Sequence, residues 1–153
     1  SYVLRMNKIT EEGNTFLRIH GDLLLTQEFA SYLDKDRSLY LFLRTQLQGS
    51  PAEWQTFRFT TRSDNIREGQ VDFIDSYTGA YYAAGFRPSS TWTEVRLPKD
   101  RLQGDHGNLA DAGPGRKSFT IIFSGEILPE TLRRSLESGL FSFYLDIDTI
   151  GYN

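Results

Sequence analysis

The chain has 153 residues, enough for one domain with a full core and too few for two well-packed ones. Its net charge of −3 and its scattered basic residues favour neither nucleic acid nor an anionic membrane as a partner. The sequence contains no cysteine, which excludes disulfides and thiolate metal sites, and no apolar run approaches the roughly 20 residues of a membrane span. We therefore expect a single domain, residues 1–153, without a membrane span. Composition alone does not indicate the cellular compartment.

Alternation of apolar and polar residues with a period of two runs through most of the chain and is typical of half-buried β-strands. The abundance of aromatic residues, with 11 Phe, 8 Tyr and 2 Trp, also favours β-structure over a helical bundle. The predicted strands, in chain order, are Phe16–Leu25, Phe29–Leu33, Ser38–Thr45, Trp54–Thr61, Ala80–Phe86, Thr91–Leu97, Phe119–Ser124 and Leu140–Gly151.

Helical signals are confined to Pro129–Ser138, which has Pro near its first turn, Leu132 and Leu136 on one face, and Gly139 at its end. The residues from 104 to 115 are rich in Gly and Asp and are predicted to form a long loop. About eight strands without strand-helix alternation predict an all-β fold, an antiparallel β-sandwich of the jelly-roll kind with one short helix.

The alternation also predicts which side chains meet between the two sheets. We expect one shared core that contains Leu41, Leu43, Val95, Leu97, Phe143, Leu145 and Ile147.

Three short motifs resemble those of the galactose-binding-like β-sandwich. They are Tyr-Tyr-Ala-Ala-Gly-Phe at 81–86, Trp-Thr-Glu-Val-Arg-Leu-Pro at 92–98, and Phe-Tyr-Leu-Asp-Ile-Asp-Thr-Ile-Gly at 143–151. Their order is similar to that in the glucan-binding modules of β-glucanases and in the complex I intermediate-associated protein family. The resemblance implies a β-sandwich that binds either an oligo- or polysaccharide or a protein partner. For a glucan-binding module it implies an attached catalytic domain and a secreted or extracytoplasmic location.

Aromatic side chains exposed on a sheet can stack on a sugar ring while flanking polar groups contact its hydroxyls. Tyr77, Tyr81 and Tyr82 cluster beside the small residues Ala83, Ala84 and Gly85, which leave room for a ring to approach. The full set of predicted ligand-binding residues is Tyr77, Tyr81, Tyr82, Trp54, Trp92, Arg44, Arg58, Arg87 and Asp75. Each aromatic residue could instead pack in the core or at a sheet edge.

Two carboxylates, Asp146 and Asp148, lie about 7 Å apart on one face of the last predicted strand. That spacing is near the one used by retaining glycosidases, but side chains on one strand point in parallel and do not flank a bond from opposite sides. The resemblance implies a structural calcium ion held by Asp146, with Glu11 and Glu12 as further candidates. The alternative is that both aspartates are solvated or ion-paired strand residues. His20 and His106 are too far apart in the sequence to indicate a zinc site or a nucleophile triad.

Three functions remain. The first is a non-catalytic carbohydrate-binding module for a β-glucan or related glycan, with no required cofactor. The second is a protein-interaction domain similar to the complex I intermediate-associated family, and the third is a glycan-active enzyme.

Overall fold

The computed structural model describes the backbone of residues 2–28, 31, 39–49, 54–112 and 117–153, and the side chains of residues 7–28, 31, 54–112 and 118–153. The strands of this part of the chain are β1 (Tyr2–Glu11), β2 (Asn14–Leu24), β3 (Leu39–Gly49), β4 (Thr56–Arg62), β5 (Glu68–Asp75), β6 (Tyr81–Phe86), β7 (Thr93–Pro98), β8 (Gln103–Gly104), β9 (Gly107–Asn108), β10 (Lys117–Ile127) and β11 (Leu140–Tyr152). Except for Ser31, the predicted strand Phe29–Leu33 lies outside the described residues, as do the side chains of Leu41, Leu43 and Arg44.

Two antiparallel sheets form the sandwich. The five-stranded sheet has the order β1-β2-β11-β4-β7, and the six-stranded sheet has the order β3-β10-β5-β6-β8-β9. The last strand lies at the centre of the five-stranded sheet, where it pairs with β2 on one side and β4 on the other. The prediction of an antiparallel β-sandwich is confirmed.

The core lies between the sheets, where the alternating apolar residues of both inner faces meet. Phe143, Leu145, Ile147 and Leu97 are at most 1% exposed, as the alternation predicts. Val95 is only half-buried, although it packs against the core, because β7 is the edge strand of its sheet.

The predicted helix exists in a shorter form. Helix α1 spans Pro129–Arg134 and is followed by a 3₁₀ turn at Leu136–Ser138. Gly139 ends it with a φ of +74°, a left-handed conformation that favours glycine. Leu132 is fully buried, so the helix covers one part of the core. In the described part of the chain, no helix is long and apolar enough to cross a membrane.

Sequence patterns missed four strands. β1 and β5 lie in segments that were not predicted as strands, and β8 and β9 lie inside the predicted loop 104–115 or at its start. β5 was missed because only two apolar residues, Val71 and Phe73, mark its inner face, and most of the other residues of the strand are polar. Both of these apolar side chains are fully buried, so β5 is a central strand of the six-stranded sheet.

Candidate functional site

The outer face of the six-stranded sheet is open above β6. Every second residue of this strand is buried, so its outer face carries Tyr81, Ala83 and Gly85. A Cβ atom built on Gly85 would meet only the carbonyl oxygen of Gly69, at 3.7 Å. The small side chains therefore leave space for a flat ligand next to the ring of Tyr81.

Strand pairing places polar groups beside these residues. On β5, Ile74 pairs with Tyr81, Asp72 with Ala83, and Gln70 with Gly85. On the opposite side of β6, Gln103 of β8 also pairs with Ala83. We call the outward residues Gln70, Asp72, Tyr81, Ala83, Gly85 and Gln103 the Tyr81 face.

The rows of residues that pair across β5 and β6 continue onto the neighbouring strands β10 and β3. Ile122 of β10 pairs with Asp72 on one side and with Arg44 of β3 on the other. Arg44, predicted as a ligand residue, thus lies in the same register row as Asp72, while its side chain lies outside the described residues.

Tyr81 is 39% exposed. Its hydroxyl donates a hydrogen bond to Oδ1 of Asp105 at 3.0 Å, and this bond to a carboxylate raises the pKa of Tyr81. The turn that carries Asp105 can approach because residue 104 is glycine: a Cβ there would lie 1.9 Å from the carbonyl oxygen of Tyr81. Tyr81 is therefore an exposed aromatic ring fixed by a neighbouring loop.

Asp72 places a carboxylate in the middle of this surface. Its Oδ1 accepts a hydrogen bond from Nε2 of Gln70 at 2.8 Å, and partial burial raises its pKa. Among the described residues, no cation lies within ion-pair distance of Asp72. The carboxylate keeps acceptor capacity that a ligand hydroxyl can use.

Tyr77 and Asp75 belong to the turn that joins β5 to β6. The ring of Tyr77 is 78% exposed at the tip of this hairpin. Asp75 is 2% exposed, and its Oδ1 accepts hydrogen bonds from the backbone N–H groups of Tyr77 and Thr78. Asp75 therefore stabilises the turn that presents Tyr77, and it does not face a ligand as the sequence had suggested.

Trp54 and Tyr82 are core residues and must be removed from the predicted ligand surface. Trp54 is 2% exposed and packs against Phe73, with ring centroids 5.6 Å apart. Tyr82 is 6% exposed because it alternates with Tyr81 along β6 and points inward. Of these two neighbouring tyrosines, only one can lie on the outer face of the sheet.

The remaining predicted residues do not join the Tyr81 face. Arg58 and Trp92 belong to the other side of the sandwich, where Arg58 lies on β4 and Trp92 packs on Phe16 of β2. Arg87 follows β6, is 81% exposed and forms an ion pair with Glu68 at 2.8 Å. The predicted set is thus divided between the two outer faces.

Comparisons with known proteins address the fold. No protein-family model matches the chain, and no curated protein matches it. Among solved structures, a family 11 carbohydrate-binding module from Clostridium thermocellum, in complex with a β-1,3-1,4-mixed-linked tetrasaccharide, matches with a TM-score of 0.62. The two sequences are 12% identical, and the match covers 99% of this chain and 82% of that one. The chain therefore shares the β-sandwich fold of this module.

Two further structures support the same architecture. A family 30 carbohydrate-binding module of a cellulosomal cellulase of Clostridium thermocellum matches with a TM-score of 0.56 and 10% identity, over 98% of this chain and 81% of that one. The module TmCBM61, in complex with β-1,4-galactotriose, matches with a TM-score of 0.51 and 11% identity, over 98% and 81%. The resemblance to glucan-binding modules drawn from the sequence motifs is therefore confirmed for the fold.

Asp146 lies between two arginines. Its side chain is fully buried; Oδ1 accepts a bond from Nε of Arg18 at 2.7 Å, and Oδ2 accepts one from Nε of Arg62 at 2.8 Å. These hydrogen bonds raise the pKa of both guanidinium groups. Calcium requires several oxygen ligands, whereas two positive groups here already hold the carboxylate. The surroundings of Asp146 do not fit the implied calcium site, and the ion-paired alternative accounts for this residue.

Sequence reasoning missed Asp72, Gln70 and Asp105 as neighbours of Tyr81. Asp72 and Gln70 lie on β5, which was not predicted, and Asp105 lies in a segment predicted to be a loop. The available signal was the pair of apolar residues Val71 and Phe73, whose spacing of two places Gln70 and Asp72 on the opposite face.

Proposed function

We propose that this chain is a non-catalytic carbohydrate-binding module that binds a β-glucan or related glycan on the Tyr81 face. The observation that carries the proposal is an exposed, fixed tyrosine ring beside an open strip formed by Ala83 and Gly85. A pyranose ring can stack on such a ring through its apolar face. The solved modules with the same fold include two bound to short β-linked oligosaccharides, which supports this ligand class.

Polar groups of the Tyr81 face suit sugar hydroxyls. Asp72 accepts hydrogen bonds, while the amides of Gln70 and Gln103 both donate and accept them. Asp72 is positioned by Gln70, so a ligand meets a carboxylate whose orientation is already set. The described charged groups beside Tyr81 are carboxylates, which favours a neutral glycan over a uronic acid.

A binding role without catalysis is supported by the environment of the paired aspartates. A glycosidase needs one carboxyl group that holds a proton and can give it to the leaving group. Asp146 cannot reach a substrate, because it is fully buried and bonded to Arg18 and Arg62. The pair Asp146 and Asp148 therefore lacks the second accessible carboxyl group that this chemistry needs.

We expect Tyr81→Ala to weaken binding of the β-1,3-1,4-linked tetrasaccharide by about 30-fold, the loss of about 2 kcal/mol typical of a binding hot spot. Tyr81→Phe keeps the ring and removes only the bond to Asp105, so it should retain most of the affinity. Isothermal titration calorimetry measures both. If Tyr81→Ala binds like the wild type while folding normally, the Tyr81 face is not the site.

Gly85 provides a second test that adds a side chain. Gly85→Gln places a side chain over the open strip, where its Cβ meets only the carbonyl oxygen of Gly69 at 3.7 Å, and we expect it to abolish binding at the Tyr81 face. Gly151 on β11 is a matched control, since a Cβ there meets nothing within 4 Å. Gly151→Gln should bind normally. Equal affinity for both variants would count against the proposed surface, and recovery of a stable protein partner would then favour the interaction-domain alternative.

A further inference from the structure

Trp92 lies on the opposite side of the sandwich from Tyr81, beside a depression of about 350 Å³. The aromatic residue next to it is Phe16 of β2, whose neighbours along the outer face of the five-stranded sheet include Arg18. The polar residues that line the depression are Glu11, Glu12, Asn14, Thr60, Arg62 and Asp148. We call this depression the Trp92 pocket.

The indole of Trp92 is fixed in place. Its ring lies at 77° to the ring of Phe16 with centroids 5.1 Å apart, and the guanidinium of Arg62 lies 4.6 Å from its centroid. Arg62 is itself held by Asp146 and Glu11. Trp92 is nevertheless 39% exposed, so part of a positioned aromatic ring remains open to a ligand.

The loop before β7 adds to this rigidity. Oγ of Ser89 donates to the backbone oxygen of Thr91 at 3.0 Å and lies 3.0 Å from Oγ1 of Thr93. The backbone oxygen of Ser89 also accepts a bond from the N–H of Ser63. Hydrogen bonds on both sides of Trp92 therefore position it before any ligand arrives.

We propose that the Trp92 pocket is a second saccharide site, which takes one sugar ring or the end of a chain. This proposal rests on the proposed function for its ligand class and goes beyond it in adding a separate site. The indole offers a stacking surface, and Asn14 and Thr60 offer neutral hydrogen-bonding groups. Its volume is at the small end of ligand pockets, which limits the ligand to a short saccharide.

Charge selects among saccharides. Three carboxylates, those of Glu11, Glu12 and Asp148, line the pocket against the single guanidinium of Arg62. The pocket therefore accepts a sugar without negative charge and rejects a uronic acid.

Two sites on opposite outer faces have a consequence for polysaccharides. One molecule can hold two chains, or two segments of one chain, at the same time. Wild-type protein should then precipitate a soluble mixed-linkage β-glucan, because each molecule joins two chains. A variant with one site removed should bind the polymer without precipitating it.

Tryptophan fluorescence reports mainly on the second site. The chain has two tryptophans, and Trp54 is 2% exposed, so acrylamide quenching reports mainly on Trp92. In Tyr81→Ala, which weakens the first site about 30-fold, the β-1,3-1,4-linked tetrasaccharide should still protect Trp92 from quenching. A galacturonic acid oligosaccharide should give no protection.

Stoichiometry completes the test. Calorimetry of the wild type with the tetrasaccharide should show two equivalents, and Trp92→Ala and Tyr81→Ala should each show one.

Glu12→Asn changes a residue of the pocket in an exposed turn and should weaken binding of the second equivalent only. This variant keeps the second site testable if Trp92→Ala does not fold. If the wild type binds one equivalent and Tyr81→Ala abolishes that binding, the second site is overturned and the first one stands. If the wild type binds one equivalent and Trp92→Ala abolishes that binding, the first site is overturned. No binding by calorimetry and no protection would overturn both.

Discussion

Replacing Phe143 by alanine should lower the free energy of unfolding by about 3–5 kcal/mol. Phe143 is fully buried on the central strand β11, and its ring rests directly over Gly21 of β2. A Cβ on Gly21 would lie 2.2 Å from this ring, so glycine at residue 21 leaves the space that the ring of Phe143 occupies. Urea denaturation of the wild type and the variant measures the loss, and a loss below about 1 kcal/mol would contradict the register of β11.

The contact between Phe143 and Gly21 allows a sharper test of this stability prediction. Gly21→Ala alone should be destabilising, but in the Phe143→Ala background the added methyl group enters space that the ring has left. The two changes should therefore not be additive. Leu140→Ala, on the same strand but 52% exposed, is the control and should change stability by no more than about 0.5 kcal/mol.

Asp146→Asn should destabilise the fold by about 3 kcal/mol, because it removes the anion between two arginines at a fully buried position. This cost is at the low end for a buried ion pair, since the side chains of Arg18 and Arg62 are 27% and 20% exposed and water can reach them. Thermal and urea unfolding measure it.

Glu11 is the matched control for Asp146. It pairs with the same Arg62, but its side chain is 54% exposed, so Glu11→Gln should leave the free energy of unfolding nearly unchanged. Calcium and a chelator should leave the melting temperature of the wild type unchanged, since the arginines take the place of a cation at Asp146. A lower melting temperature with chelator would contradict this account of Asp146, as would equal losses for the two variants.

Alternation in the sequence predicted the sheet and core well where one face of a strand is continuously apolar. Phe143, Leu145 and Ile147 lie in the core for this reason. It failed for β5, where only two apolar residues mark the inner face. It also could not decide which of Tyr81 and Tyr82 points outward, because both faces of β6 carry aromatic or small residues.

The functional groups were harder to predict because they meet only through folding. Asp105 is 24 residues from its partner Tyr81, and Asp146 is 128 residues from Arg18 and 84 from Arg62. A strand pattern reports which face a residue occupies, but it does not identify the neighbours on the next strands. The ion pairs of Asp146 therefore cannot be predicted from the strand patterns, because they form only where β2, β11 and β4 lie side by side.

The central claim is that a neutral glycan binds across β5, β6 and β8 of the six-stranded sheet. A titration of isotope-labelled protein with the β-1,3-1,4-linked tetrasaccharide, followed by amide NMR shifts, tests it most directly. We predict large shifts at Gln70 to Ile74, Tyr81 to Gly85 and Gln103 to Asp105. Saturable binding that leaves these amides unchanged, or no binding at millimolar glycan, would contradict the claim.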